Sequence, residues 1–303
     1  MRIATAQYQS SMVAALQDNQ AHVAYLTAQI ANGKRIQLPS DDPVGNVRLS
    51  RLNREEAMLG QYRANIGAVQ TRLAKNETYL SSMVSDMQQA RDLLVAAADG
   101  SNTSADLTAK VSSLTALRDS LVYTANTRDQ EGNYVFSGTL TGTPPIGVDP
   151  AAATGARYSY GGNNGQQMVV VGNGIRQAAN VNVDGLQTLL NQLDSTISTL
   201  SAPGVAANDP AVMTVVSAAL DGVDAATDTI STRIAIFGGA QNILATLDSN
   251  LNNVSLSNQT ALINLGQADY GAAATALSGY STALQATYSA YAKIGKLSLF
   301  DVI

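Results

Sequence analysis

Apolar residues recur along much of this chain at alternating three- and four-residue steps. The longest such run is also the most regular. Leu59, Tyr62, Ile66, Val69, Leu73, Asn76, Leu80, Met83, Met87, Ala90, Leu94 and Ala97 lie on one seam that is polar only at Asn76. That spacing predicts a helix from Val44 to about Asp99. At about 1.5 Å per residue it is about 80 Å long, more than a compact domain is wide, so an elongated rod is expected. A shorter seam through Met12, Leu16, Asn19, Val23, Leu26 and Ile30 predicts a first helix from about Thr5 to Asn32, closed by Gly33 as a left-handed cap. The charged link from Lys34 to Asp42 follows. Asp42 before Pro43 reads as an N-cap with proline at the first helical position, its carboxylate placed to accept the N–H of Val44 or Gly45.

Beyond Ala97, Gly100 to Ser104 makes a turn, and Thr103 with Asp106 resembles a capping box. The helix it opens carries Leu107, Val111, Leu114, Leu121 and Ala125 on one stripe, and its short connection makes it antiparallel to the helix before. From about Asn133 to Val183 the period becomes strand-like, with Tyr134 to Phe136, Tyr158 with Tyr160, and Met168 to Val171 as expected strands. Gly161 to Gly165 is expected as a hairpin turn. Gly172-Asn173-Gly174 reads as a turn, because a phosphate cradle needs a third glycine and a helix start that are missing. A short amphipathic helix, Asp184 to Leu200, comes next. Pro210 then starts a helical series to about Ile294, with a weak point expected at Phe237-Gly238-Gly239. Its seams are Leu244, Leu247, Leu251 and Val254, then Leu277, Tyr280, Leu284 and Tyr291.

The fold class expected is therefore mainly α: a rod of long antiparallel helices, comprising a terminal coiled coil and a helical bundle, with a small β-rich insert. We place a terminal coiled-coil domain at 1–36 and 268–303, the long-helix bundle at 37–133 and 183–267, and the insert at 134–182.

Charge sharpens this picture at the ends. Asp18 is the only acid or base with a fixed charge between Ile3 and Gly33, and Asp269 the only one between Asn252 and Ala292. A helix in water carries charges on its outer face, so outward positions filled by Ser, Thr, Asn, Gln and Ala are expected to meet other protein. Met12, Leu16, Val23, Leu26 and Ile30, with Leu277, Tyr280, Leu284, Tyr291 and Ile294, are the expected assembly interface.

Composition excludes several kinds of chemistry. Aromatic residues are 5% of the chain and Trp is absent, which suits thin helices set side by side better than a thick core. A net charge of −5 disfavours nucleic acid. The Arg48, Arg51, Arg54 row has Glu55 and Glu56 beside it and reads as a solvated or salt-bridged face. Without cysteine there is no disulfide, no thiolate nucleophile and no Cys-based zinc site. Asp41 and Asp42 are adjacent, project differently and have no further ligands spaced nearby, so no metal is expected there. His22 is the lone histidine. Beside an apolar seam it reads as a packed residue rather than a base. No catalytic residue, cofactor or metal is expected, nor is membrane insertion, since no apolar run is long enough to span a bilayer. Polar residues Gln7, Gln9, Ser10 and Ser11 interrupt the start where a signal peptide needs an apolar stretch.

The most specific passage is Ile30-Ala31-Asn32-Gly33-Lys34-Arg35-Ile36, followed by Pro39-Ser40-Asp41-Asp42-Pro43. With Gly132 to Thr139, Ala268-Asp269-Tyr270 and Ser298-Leu299-Phe300, and with the order of the elements, it resembles the flagellin superfamily over roughly residues 1 to 140 and 230 to 303. The Gly-Lys-Arg-Ile form is similar to that of the branch found where hook and filament meet. The resemblance implies that the two terminal segments pair as a coiled coil at the core of a tube, with the long helices bundled outside. Gly33, Lys34, Arg35, Asp41, Asp42 and Pro43 then form a domain-boundary link. It further implies a structural adaptor at the flagellum, arranged as a ring of copies between the hook-side junction protein and flagellin. A cytosolic export chaperone, type III export and an extracellular location without a cleaved signal peptide are implied with it. A filament subunit, flagellin itself, is the alternative.

Overall fold

The structure is a computed structural model that describes the backbone of residues 2–295 and the side chains of 7–293. The side chain of Ile294 and the passage Ser298-Leu299-Phe300 lie outside the described residues. Among those described, the elements in order are α1 (Arg2–Asn32), α2 (Pro43–Ala97), α3 (Ser104–Ala125), β1 (Ile146–Val148), β2 (Tyr158–Tyr160), β3 (Met168–Gly172), β4 (Ile175–Ala178), α4 (Leu186–Leu200), α5 (Pro210–Gly266) and α6 (Tyr270–Gly295). The protein is mainly α, as its periodicity predicts. Two compact units result: one takes in the described residues up to Leu59 and from Asn252, the other is Gly60–Leu251.

In the Gly60–Leu251 unit the α2 seam is the spine of one continuous core. From Ile66 to Ala97 every seam residue is buried, Asn76 among them, and only Tyr62 is half-exposed. Facing it are Leu107, Leu114 and Leu121 of α3, Leu189, Leu190 and Leu193 of α4, and Val212, Val216, Ala219, Val223, Ile230 and Leu244 of α5. Ion pairs give the direction: Arg91 meets Asp224 at 2.9 Å and Arg63 meets Asp248 at 3.2 Å, so α2 and α5 run antiparallel. Helix α3 also returns along α2, with the Ser120 hydroxyl donating to Asp86 at 2.7 Å. The capping box forms as predicted, Thr103 accepting the Asp106 N–H while the Asp106 carboxylate accepts the Thr103 N–H.

Helix α5 passes through Phe237-Gly238-Gly239 without a break, so the expected weak point is not one. Phe237 and Ala240 are buried on either side and hold the helix against the core. The series breaks instead at Gln267 to Asp269, where α6 begins.

Strands appear in the expected region but pair differently. Antiparallel β1 and β2 form one sheet, and β3 and β4 another, joined by the Asn173-Gly174 turn. Tyr134 to Phe136 is not a strand. Its backbone bonds locally, Val135 N–H to Thr127 carbonyl, while Phe136 is fully buried in the core. Gly161 to Gly165 is no hairpin turn either, because β2 and β3 belong to separate sheets. Asn163 folds that segment back instead: its N–H donates to Ser137 O and its side-chain Oδ1 accepts the Thr139 N–H at 2.8 Å. The insert is anchored from α4, where Asn191 accepts the Tyr158 N–H and donates to the Tyr158 carbonyl. The buried Asp194 takes the Gly155 N–H at 3.0 Å and both Arg118 and Arg157 at 3.3 Å, so this inward carboxylate is paired.

Candidate functional site: the terminal helix pair and its link

Residues from the two ends of the chain meet in the smaller unit. Helices α1 and α6 pack along one another, antiparallel: Gln20 donates to the Tyr288 hydroxyl at 2.6 Å, and Gly33 O accepts the Ala268 N–H at 2.9 Å. His22 stacks on Tyr280 with ring centroids 4.6 Å apart, and its Nε2 lies 3.7 Å from Asp18. Leu16 keeps 9% of its surface, while Met12, Val23, Leu26, Ile30, Leu277, Tyr280 and Leu284 are only half-buried and Tyr291 is exposed. These positions lie on the two helices of the pair, and a two-helix contact leaves such side chains unfinished. Full burial of one Leu or Ile contributes about 1.5–3 kcal/mol, much of which is still to be gained here.

The link is built by hydrogen bonds rather than apolar packing. Gly33 ends α1 with φ +66°, donating its N–H to Gln29 O at 2.9 Å. The chain then runs against the break between α5 and α6: Lys34 bridges Gln267, Arg35 N–H donates to Gly266 O at 2.7 Å, and Arg35 Nε to Leu265 O at 2.9 Å. From the same guanidinium Nη2 reaches Asp42 Oδ2 at 2.9 Å. Asp42 caps α2 through its other oxygen, which accepts the Gly45 N–H at 2.8 Å, with Pro43 opening the helix. A β-carbon at Gly45 would lie 2.4 Å from Asp42 Oδ2 and 2.9 Å from Ile36 Cδ1, so this cap needs glycine.

Asp41 points the other way. Its Oδ2 accepts the N–H groups of Leu38 (2.8 Å) and Gln37 (3.0 Å) and the Tyr25 hydroxyl (2.9 Å), fastening the link to α1. One turn on, Gln29 Nε2 donates to Arg35 O at 2.7 Å. Bonds to the charged form hold both carboxylates below their ordinary range: Leu38 N–H and then Tyr25 for Asp41, Gly45 N–H and then Arg35 for Asp42. Desolvation and the Asp41 partner push the Tyr25 phenol up. Lys34 and Pro43 are exposed.

Sequence reading missed Tyr25 and Gln29, while the Gly45 N–H is one of the two partners it offered Asp42. Tyr25 and Gln29 stand one helical turn apart beside the apolar seam, a spacing that could have marked them as a second, polar stripe facing the link. Elsewhere, among the described residues, no cluster of His, Asp or Glu could hold a metal ion, and no helix is long and apolar enough to cross a membrane.

Paired chain ends, a capped link and long helices with a small β insert fit the resemblance to flagellins that the sequence suggests. The bacterial flagellin N-terminal helical region matches residues 3–141. Along its whole length the chain is similar to flagellar hook-associated protein 3 of Escherichia coli K12, 27% identical over 100% of this chain and 99% of that one. A solved flagellar hook-associated protein of Vibrio parahaemolyticus superposes with a TM-score of 0.68 at 28% identity, covering 75% of this chain and all of the other. Flagellin C of Vibrio cholerae is 33% identical, but over 128 residues that make up 41% of this chain and 33% of that protein. The chain is thus similar to flagellar hook-associated protein 3 along its whole length and to flagellin over its N-terminal region.

Proposed function

We propose that the protein is a structural adaptor of the bacterial flagellum, joining the hook-side junction protein to the flagellin filament and assembled through its terminal helices. The observation that carries this reading is the α1–α6 pair, antiparallel, half-buried and almost free of charge, in a chain similar end to end to a hook-associated protein. Likeness to flagellin confined to part of the chain fits one further role, a surface on which filament subunits can continue the same packing. The protein acts by holding partners rather than by chemistry, and is not an enzyme.

Under this reading residues 1–36 and 268–303 line the core of a tube, 37–133 and 183–267 form the bundle outside it, and 134–182 is a surface insert. Met12, Leu16, Val23, Leu26 and Ile30 with Leu277, Tyr280, Leu284, Tyr291 and Ile294 bury against neighbouring copies in a ring, and Gly33, Lys34, Arg35, Asp41, Asp42 and Pro43 form the link at the domain boundary. The protein leaves the cell by type III export without cleavage and works outside it. A cytosolic chaperone covers the α6 seam beforehand, since a half-buried stripe of Leu and Tyr is prone to self-association. Electron microscopy of cells lacking the gene tests the adaptor role. Bare hooks with flagellin shed into the medium are expected, and ordinary filaments would overturn it.

The second reading, flagellin itself, is favoured by the N-terminal match alone. Purified protein that polymerises without limit into filaments would decide for it.

A further inference from the structure

Three Asn-Gly pairs occur in the chain, Asn32-Gly33, Asn164-Gly165 and Asn173-Gly174. As sequence they are equivalent, since in each the small, permissive glycine leaves the asparagine side chain free to approach the next backbone nitrogen. Structure separates them. At the end of α1 the Gly33 N–H is committed to Gln29 O at 2.9 Å, and a β-carbon at Gly33 would lie 2.8 Å from the Tyr270 hydroxyl. In the β2–β3 connection the Gly165 N–H is committed to Asn163 Oδ1 at 3.0 Å, while the Asn164 side chain accepts from Asn182 at 2.7 Å. Only the third pair is untied. Asn173 and Gly174 form the exposed tip between β3 and β4, and nothing lies within 4 Å of a β-carbon built on Gly174. Among the described residues the Gly174 N–H has no acceptor, and its φ is +72°.

We propose that Asn173 is a site of spontaneous hydrolytic modification, converting to aspartate and isoaspartate in the folded protein while Asn32 and Asn164 are protected. The Gly174 backbone nitrogen, its proton taken by hydroxide, attacks Cγ of Asn173. A new N–C bond forms, the bond from Cγ to the amide nitrogen breaks, and ammonia leaves with a proton drawn from water, giving a cyclic succinimide. Water then adds to one of the two ring carbonyls and opens the ring, at Cγ to give aspartate or at the main-chain carbon to give isoaspartate. Overall one water is consumed and one ammonia released, with no change of oxidation state. Each event puts a negative charge on the β3–β4 tip, and the isoaspartate form lengthens the backbone at the turn.

The whole protein, held in mildly alkaline buffer below its unfolding temperature, is digested at intervals under acid conditions and its peptides are analysed by mass spectrometry that separates aspartate from isoaspartate. Conversion at Asn173 is expected to run about tenfold or more ahead of Asn32 and Asn164, the factor set by the hydrogen bond on the following glycine's N–H that must break first at those two. In denaturant the three rates should draw together. The Asn173→Ser protein should lose the fast component. Equal rates at the three sites in the folded protein, or a folded Asn173 that converts no faster than the protected pairs, would overturn the assignment.

Discussion

The two compact units differ in how completely they are packed. Within Gly60–Leu251, Leu73, Leu80, Met83, Met87, Ala90 and Leu94 are fully shielded, and α3, α4 and α5 all contribute to the same core. Among the described residues of the terminal unit the deepest apolar side chains are Ala268 and Ala273, at 6%, with Leu59 and Leu16 at 8% and 9%. One unit therefore satisfies its own seams. The other presents on α1 and α6 seams of similar spacing that their mutual contact leaves half-buried, and isolated helices of this kind gain little stability by themselves. A similar periodicity can thus encode a core in one place and an unfinished interface in another, and the difference lies in how many partners the rest of the chain supplies.

The largest effect should come from making the unfinished seam polar. Leu284→Asp is expected to abolish filament growth in cells while the purified variant keeps the unfolding midpoint of the Gly60–Leu251 core. Normal growth in that variant would count against the interface. Next in size is a paired truncation. Leu80→Ala removes a fully buried side chain and should cost about 2–5 kcal/mol in urea unfolding. Leu16→Ala should cost only about 1 kcal/mol, because the space it leaves opens to water. Equal costs would erase the contrast between the units.

A smaller effect concerns acid. Asp41 and Asp42 have lowered folded-state pKa values, so their contribution is fully present above the ordinary value of 3.8 and is lost as pH falls below it, through the depressed values. Hydrogen exchange should therefore show α1 and the link loosening on acidification. The Asp41→Asn, Asp42→Asn double variant should be loosened already near neutral pH and respond much less to acid. Unchanged acid sensitivity in that variant would place the sensitive groups elsewhere. Smallest is Asn76→Leu. Asn76 is buried with its Nδ2 lacking a hydrogen-bond partner, so an apolar side chain should raise stability by about 1 kcal/mol. A fall in stability would mean that the amide is worth more than its missing bond suggests.

Much of this was legible from spacing. The α2 seam has eleven apolar positions of twelve, and such a pattern leaves little choice of face. Asp42-Pro43 and Thr103 with Asp106 announced their caps because capping depends on neighbours a few residues away. What escaped depends on distant partners. Gly238-Gly239 looks like a breaker, yet Phe237 and Ala240 are held by a core that only the folded chain assembles. The true break at Gln267 is stabilised by residues some 230 positions earlier, with Arg35 donating to Leu265. Tyr158 with Tyr160 and Met168 to Val171 are strands as expected, but Tyr134 to Phe136 is not, because so short a segment carries too few alternations, and Asn163 turns the chain back where glycine content reads as a hairpin. The role of Tyr25 was only half legible: its spacing from Gln29 marks a polar stripe, but nothing nearby announces that Asp41 is what it will meet.

The bridge between Lys34 and Gln267 ties together the two points where the chain leaves its terminal helices. Since Gly33 is bonded to Ala268 and Arg35 to Gly266 on either side of it, neither bend can open alone. Unfastening either bend therefore means breaking hydrogen bonds that belong equally to the other, so the two behave as one clasp.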